Sequence, residues 1–260
     1  MSSESPAWTI SCLPIPGEHV PVYLKSGANY GPDCNIGAGT ATAFLGKHAA
    51  FNAWYKKMIR EFGSGFKSVK ILEIRPFVVS RGIGFVLVDA EVYNESGLRL
   101  PGVAFLRGAS VAVLLELICG GQKYVVTTVQ ARIPAASAAY EEIPAGMMDD
   151  AGNFFGVAAK EIEEEVGIKI NPEDLHELGS MDPSMGGCDE QIRLFRAELE
   201  IGPEHLERLR SSLTGRLDEG EAITLRLRLS DEFHRALMSG EINDAKAMCA
   251  MFRSMTIKPM

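Results

Sequence analysis

The chain has 260 residues, of which 46% are hydrophobic and 23% are charged, and its formal net charge is −8. This composition is that of a globular protein, and the length suits one large domain or two smaller ones. The negative charge disfavours a nucleic-acid or anionic-membrane surface, which needs a basic patch, and no apolar run reaches the ~20 residues of a membrane span.

The first half of the chain predicts a small β unit with one helix. Residues 1–40 are rich in Gly, Pro, Ser and Asn and predict loops with short extended pieces. Apolar residues at helical spacing predict a helix over 42–62. Strands are predicted at 68–75, 84–92 and 100–106. In the first strand, alternation places Val69 and Ile71 on one face and Leu72 and Ile74 on the other.

The second half of the chain predicts a mixed sheet between helices. Apolar runs at 111–118 and 124–129 predict two strands, which Gly120-Gly121 joins as a hairpin. Further strands are predicted at 140–145, 175–181, 192–199 and 222–229. Helices are predicted at 154–166, 204–213, 231–238 and 243–255, with Asp231 and Asn243 as N-caps of the last two. This pattern predicts an α+β fold.

Three carboxylates share one face of the predicted helix at 154–166. They are Glu161, Glu164 and Glu165, and they align because an α-helix advances about 100° per residue. Like charges at this spacing cost a few tenths of a kcal/mol each, roughly, when nothing neutralises them. Hard divalent cations such as Mg²⁺ and Mn²⁺ prefer oxygen ligands. We therefore expect a metal site on this face.

The stretch 146–168 resembles the Nudix box, G-x5-E-x7-R-E-U-x-E-E-x-G-U, where U is aliphatic. Seven positions match in one register: Gly146, Glu161, Ile162, Glu164, Glu165, Gly167 and Ile168. Gly152 stands where the first Glu is expected, and Lys160 stands where Arg is expected. Asp149 and Asp150 could replace some of the missing charge, and Lys160 keeps its charge without the bidentate geometry of Arg.

Other stretches resemble the ADP-sugar and ADP-ribose diphosphatase branch of this family, especially its plant-type members. They are 101–108, 112–115, 130–132, 142–146 and 186–190. The resemblance implies a Nudix fold, an α/β/α sandwich with a mixed sheet, over 108–260. It also implies a smaller N-terminal antiparallel β unit with one helix over 1–107, which lines the substrate site and forms a homodimer.

The same resemblance implies a role for each candidate site residue. Glu161, Glu164 and Glu165 would bind Mg²⁺ or Mn²⁺ with the backbone carbonyl of Ala145. Glu190, from the Gly-Gly loop, and Glu164 would be the catalytic carboxylates. The candidates for substrate binding are Arg132, Arg107 and Glu142. Glu142 could equally be a structural partner of Lys160 or Arg132.

The implied activity is Mg²⁺-dependent hydrolysis of ADP-ribose or an ADP-sugar to AMP and a sugar phosphate. The partner would be a small nucleoside diphosphate sugar, with no nucleic acid and no membrane. Two alternatives stay open: another nucleoside diphosphate derivative (NADH, a dinucleotide polyphosphate or CoA), or a weakly catalytic ligand-binding protein. The five scattered cysteines and the absence of a secretory pattern predict a cytoplasmic protein, with an organelle as the alternative.

Overall fold

The structure is a computed structural model that describes residues 8–11, 20–25, 43, 45–76, 83–148, 153–210, 213–214 and 222–256. The chain divides into two compact units. The first comprises Met1–Gly108 with Ser184–Glu190, and the second comprises Ala109–Pro183 with Gln191–Met260. The departure from the Nudix box at Gly152, and the two acidic residues that could compensate for it, Asp149 and Asp150, lie outside the described residues.

Within its described residues, the first unit contains a five-stranded sheet in the order β1-β2-β3-β4-β5 and a 14-residue helix. Its elements are β1 (Trp8–Ser11), β2 (Val22–Lys25), α1 (Ala49–Phe62), β3 (Phe66–Pro76), β4 (Ile83–Val92) and β5 (Val103–Leu106). The strand pairs are antiparallel except β2 and β3, which run parallel with Val22 opposite Val69. The predicted antiparallel unit therefore contains one parallel pair. The segment between these strands includes α1, and a parallel pair needs a long crossover of this kind.

The core of the first unit lies between α1 and the sheet. Phe51 and Tyr55 of α1 are buried in one cluster with Val69, Ile71 and Ile74 of β3. The prediction that Ile74 faces away from Ile71 is therefore wrong. The β3–β4 register shifts between Ile71 and Glu73, and such an irregularity reverses the alternation of faces beyond it.

The second unit contains an eight-stranded mixed sheet. Its path is β10-β11-β6-β7-β13-β12, with β8 paired to β7 and β9 paired to β6. The strands are β6 (Ser110–Cys119), β7 (Gln122–Arg132), β8 (Ser137–Glu142), β9 (Ala145–Met147), β10 (His176–Met181), β11 (Ile192–Glu200), β12 (Leu213–Thr214) and β13 (Ile223–Leu229). Strands β6 and β11 are parallel, and the other pairs are antiparallel.

Helices cover both faces of this sheet. They are α2 (Phe154–Val166), α3 (Pro203–Arg210), α4 (Ser230–Ser239) and α5 (Ala245–Thr256). Val113 and Leu115 of β6 pack in one cluster with residues of α2 and α3, and Ala112 and Leu114 pack in another with residues of α4 and α5. A strand buried on both faces is continuously apolar. The predicted α+β class, with a mixed sheet between helices, is confirmed.

Four local predictions in the second unit differ from the structure. The helix predicted at 204–213 ends at Arg210, and Leu213 lies in β12. The predicted strand at 140–145 is two strands, β8 and β9, separated at Ile143 and Pro144, and proline cannot donate a ladder hydrogen bond. Asp231 lies in the first turn of α4, not at its N-cap. The residue before α5 is Asp244, whose side chain accepts from the Lys246 amide at 3.1 Å, so Asn243 is not the cap.

Among the described residues, no helix is long and apolar enough to span a membrane.

Candidate active site

Helix α2 carries the three predicted metal ligands near its C-terminal end. Asn153 caps its start, because its side-chain oxygen accepts from the Gly156 amide at 3.0 Å. Gly167 ends it with a φ of 77°, which glycine adopts without strain. Val157, Ile162 and Val166 are buried against the sheet. The three acidic residues of the motif are Glu161, Glu164 and Glu165.

Glu165 is a buried carboxylate, with only 8% of the residue exposed. Its Oε2 accepts a hydrogen bond from the Ala145 amide at 3.1 Å. Burial, followed by repulsion from Glu161, raises the pKa of Glu165 to about 8. The ionised carboxylate is therefore poorly stabilised by the protein alone, and a bound cation would relieve both effects. The structure shows the amide of Ala145 engaged here, while the predicted role of its carbonyl stays a prediction.

Gly146 lies directly against the side chain of Glu161. A Cβ atom at Gly146 would be 1.9 Å from Glu161 Cδ and 2.2 Å from its Oε1. Ordinary contacts between carbon atoms are about 3.5–4.0 Å. The glycine therefore leaves the space in which the carboxylate of Glu161 lies, and this contact gives a physical reason for the glycine at the start of the motif.

Glu164 is engaged by a basic residue of its own helix. It forms an ion pair with Lys160, with 3.4 Å between Nζ and Oε1. Within the described parts of the chain, no three acidic, His or Cys side chains lie close enough together to hold an ion. Glu161 and Glu165 nevertheless form a close acidic pair with oxygen donors, which is the chemistry that a hard divalent cation prefers. The donor chemistry of Glu161 and Glu165 fits such a cation, and the metal site itself stays a prediction.

Arg132 and Glu142 form an ion pair at the ends of neighbouring strands. Arg132 Nε donates to Glu142 Oε1 at 2.6 Å, which is one of the two partners predicted for Glu142. Burial would raise the pKa of Glu142, but Lys246 and then Arg132 outweigh burial and hold the pKa below its ordinary value. Both members of the pair influence the pKa of Glu165. The charges of Arg132, Glu142 and Glu161 therefore all act on the Glu165 carboxylate.

Sequence reasoning missed two residues beside this pair. Lys246 Nζ lies 2.8 Å from Glu142 Oε2 and 2.9 Å from Asp244 Oδ1. Asp244 is 2% exposed, and its Oδ2 accepts from the Ile143 amide at 3.1 Å. In the sequence, Asp244 and Lys246 stand at the start of a segment that predicts a closing helix. The one available signal was a lysine in a mainly apolar segment, which is weak evidence because lysine is common on helix surfaces.

Arg107 and Glu190 lie together in the first unit. Arg107 Nη2 is 3.4 Å from Glu190 Oε1, and the side chain of Glu190 is 13% exposed. Asp189, for which no role was predicted, accepts from the amides of Arg107 and Gly108 at 2.7 and 3.1 Å through one oxygen. This carboxylate fixes the loop that carries Glu190 to the end of β5. The catalytic role of Glu190 and the phosphate-binding role of Arg107 stay predictions.

The chain is similar to one curated plant protein. That protein, Nudix hydrolase 14, chloroplastic, from Arabidopsis thaliana, is 36% identical over 192 residues, which cover 68% of this chain and 62% of the relative. The match thus spans less than two thirds of the relative's length. A solved structure described as a crystal structure of an ADP compounds hydrolase aligns with a TM-score of 0.49 and 21% identity, over 74% of this chain and 94% of that one.

No protein-family model matches the chain. The curated relative carries the family name to which the motif from Gly146 to Ile168 pointed, and it does so at 36% identity over 192 residues. The resemblance of this chain to the Nudix hydrolases is therefore confirmed.

Proposed function

We propose that the protein hydrolyses the diphosphate of ADP-ribose or an ADP-sugar, giving AMP and a sugar phosphate, with Mg²⁺ or Mn²⁺ as cofactor. The observation that carries this proposal is the buried Glu165 carboxylate one helical turn from Glu161, on which the charges of Glu142 and Arg132 also act. Such a site combines a place for a cation with a cationic side chain suited to phosphate. The curated relative's name supports a hydrolase of this family.

The cation would be held by Glu161, Glu164, Glu165 and the carbonyl of Ala145. When bound, it would neutralise the diphosphate and make a coordinated water more acidic. Glu164 would leave Lys160, whose side chain is 59% exposed, and an exposed ion pair contributes about 0–1 kcal/mol, so this change costs little.

Arg132 would bind the diphosphate. Its Nε is engaged by Glu142, and a guanidinium has further N–H donors on its two terminal nitrogens. A planar group with several donors suits phosphate oxygens. Glu142, which holds Arg132, would thereby help to orient the substrate.

Glu190 and Glu164 are the candidates for taking a proton from the attacking water. A bond would form between the water oxygen and one phosphorus while the bond from that phosphorus to the bridging oxygen breaks. The carboxylate would accept the proton, and no covalent intermediate with the protein is needed. Arg107, paired with Glu190, would be the second phosphate-binding candidate.

The double variant Glu164→Gln with Glu165→Gln tests the proposal. AMP release from ADP-ribose with Mg²⁺, measured by chromatography, should fall by about 10²-fold or more. Glu163→Gln is the matched control, because Glu163 is an exposed acidic residue of the same helix, and it should keep activity. Thermal unfolding should show that both proteins fold. Unchanged turnover in the double variant would contradict the proposal.

A weakly catalytic ligand-binding protein is the second candidate. The two departures from the Nudix box favour it, because Gly152 and Lys160 stand where the motif has Glu and Arg. Tight binding of ADP-ribose with Mg²⁺ and no AMP release would support this alternative. AMP release from NADH, a dinucleotide polyphosphate or a CoA derivative in preference to ADP-ribose would instead change the substrate class.

The homodimer and the compartment are also proposals. A homodimer through the first unit rests on the family resemblance, and light scattering tests it. The curated relative is named as chloroplastic, which makes an organelle a candidate compartment beside the cytoplasm.

A further inference from the structure

Lys246 is a largely buried lysine to which the proposed function gives no role. It is the second residue of α5, and its side chain is 15% exposed. Its ammonium group lies between Glu142 and Asp244, at 2.8 and 2.9 Å. Burying charged groups is costly, and apolar residues often replace a buried ion pair without loss of stability. Stability alone therefore does not explain an ammonium group at this position.

The contacts of Lys246 continue to Arg132 through one carboxylate. Lys246 Nζ binds Oε2 of Glu142, and Arg132 Nε binds Oε1 of the same side chain. The two oxygens of Glu142 are thus divided between two cations, which fixes the orientation of the carboxylate.

Asp244 attaches this arrangement to the backbone that leads to β9. One oxygen of Asp244 binds the amide of Ile143, and the other binds Lys246. The side chain of Arg132 is 39% exposed, so its outer part is accessible to a ligand while its Nε is held. Glu142 thus holds Arg132 at its Nε, while the outer part of the guanidinium is exposed.

We infer that Lys246 is a positioning residue for phosphate binding: it holds Glu142 in place, and Glu142 holds Arg132 ready for the diphosphate. The inference rests on the proposed function, because it requires Arg132 to bind the diphosphate. Without the ammonium group, the side chain of Glu142 can adopt more rotamers, and Arg132, which it holds, is less well positioned. Ordering the freed side chains again on binding weakens the affinity for the diphosphate by up to about tenfold.

A double-mutant cycle tests whether Lys246 acts through Arg132. Lys246→Gln should raise the KM for ADP-ribose by about tenfold, because Arg132 binds the diphosphate less well. The kcat should change much less, because the carboxylates of α2 are retained. Arg132→Ala should also raise KM. Adding Lys246→Gln to Arg132→Ala should then have little further effect, because residues that act through one another are not additive.

Lys123→Gln is the matched control. Lys123 also bridges two carboxylates, Glu116 at 3.5 Å and Glu198 at 3.2 Å. It lies near the start of β7, whereas Arg132 ends this strand. The control should leave KM unchanged. If Lys246→Gln does not fold, Lys246→Arg retains the charge with different geometry and enters the same cycle, with a smaller expected rise in KM.

The outcomes separate this inference from the proposed function. An equal rise in KM from Lys246→Gln with and without Arg132 would overturn the inference and leave the proposed function intact. If the wild type releases no AMP, the proposed function fails. The same double-mutant cycle is then measured as the affinity for inorganic diphosphate, by calorimetry. Additive losses in that cycle, or no binding of diphosphate by the wild type, would overturn the inference.

Discussion

Replacement of Gly146 by alanine tests how closely the position of Glu161 controls activity. The new Cβ would lie 1.9 Å from Glu161 Cδ, and ordinary carbon contacts begin near 3.5 Å, so the carboxyl group must move by roughly 1.5 Å. A misplacement of about 1 Å in a catalytic site costs about 10²-fold in rate, which corresponds to about 2.7 kcal/mol of transition-state stabilisation. Gly146 does not have a positive φ, so alanine fits its backbone. The loss should therefore fall on activity and metal affinity more than on stability.

The assay is kcat/KM for ADP-ribose over a series of Mg²⁺ concentrations, with thermal unfolding as a check of the fold. Gly202→Ala is the control, because a Cβ there meets no atom within 4 Å, and it should keep its activity. In the Glu161→Ala background, Gly146→Ala should add little, since the carboxylate is gone. Full activity and unchanged Mg²⁺ dependence in Gly146→Ala alone would refute the reasoning.

Three further predictions concern stability. The pKa of Glu165 is raised from 4.5 to about 8 in the metal-free protein, so the folded state binds more protons than the unfolded state and stability falls as pH rises through this range. In EDTA, the Tm of Glu165→Gln should therefore exceed that of the wild type by a difference that grows from about pH 5 to pH 8. A Tm difference that stays constant with pH would contradict this. Arg228→Met removes the bidentate partner of Glu141, which keeps its ion pair with Arg226, and should lower the free energy of unfolding in urea by about 1.5 kcal/mol; an unchanged value would count against that pairing. Lys160→Ala removes an exposed ion pair with Glu164 and should change the same free energy by less than about 0.5 kcal/mol, so a larger loss would show that the pair is structural.

Helix α2 was predictable because its determinants are local. The structure has the helix at Phe154–Val166, the bounds that its apolar spacing predicts. The three carboxylates follow from helical geometry and the motif. The close approach of Gly146 to Glu161 is also consistent with the motif, since glycine stands at its first position.

Other features depend on contacts that local pattern does not contain. Ile74 is fully buried in the cluster of Ile71 because the β3–β4 register shifts between Ile71 and Glu73, whereas Leu72 keeps the opposite face and is 37% exposed. Lys246 meets Glu142 across 104 positions of the chain, and Asp189 meets the Arg107 amide across 82. Such pairings arise from tertiary packing, so the local sequence around this lysine and this aspartate does not specify them.

The most direct test of the central claim is AMP release from ADP-ribose and ADP-glucose by the wild-type protein, with Mg²⁺ or with EDTA. We expect AMP from at least one substrate with Mg²⁺ and none with EDTA, and the ratio of the two rates would rank the sugars. A folded protein that releases no AMP from either substrate with Mg²⁺, or one that releases it equally in EDTA, would contradict the account.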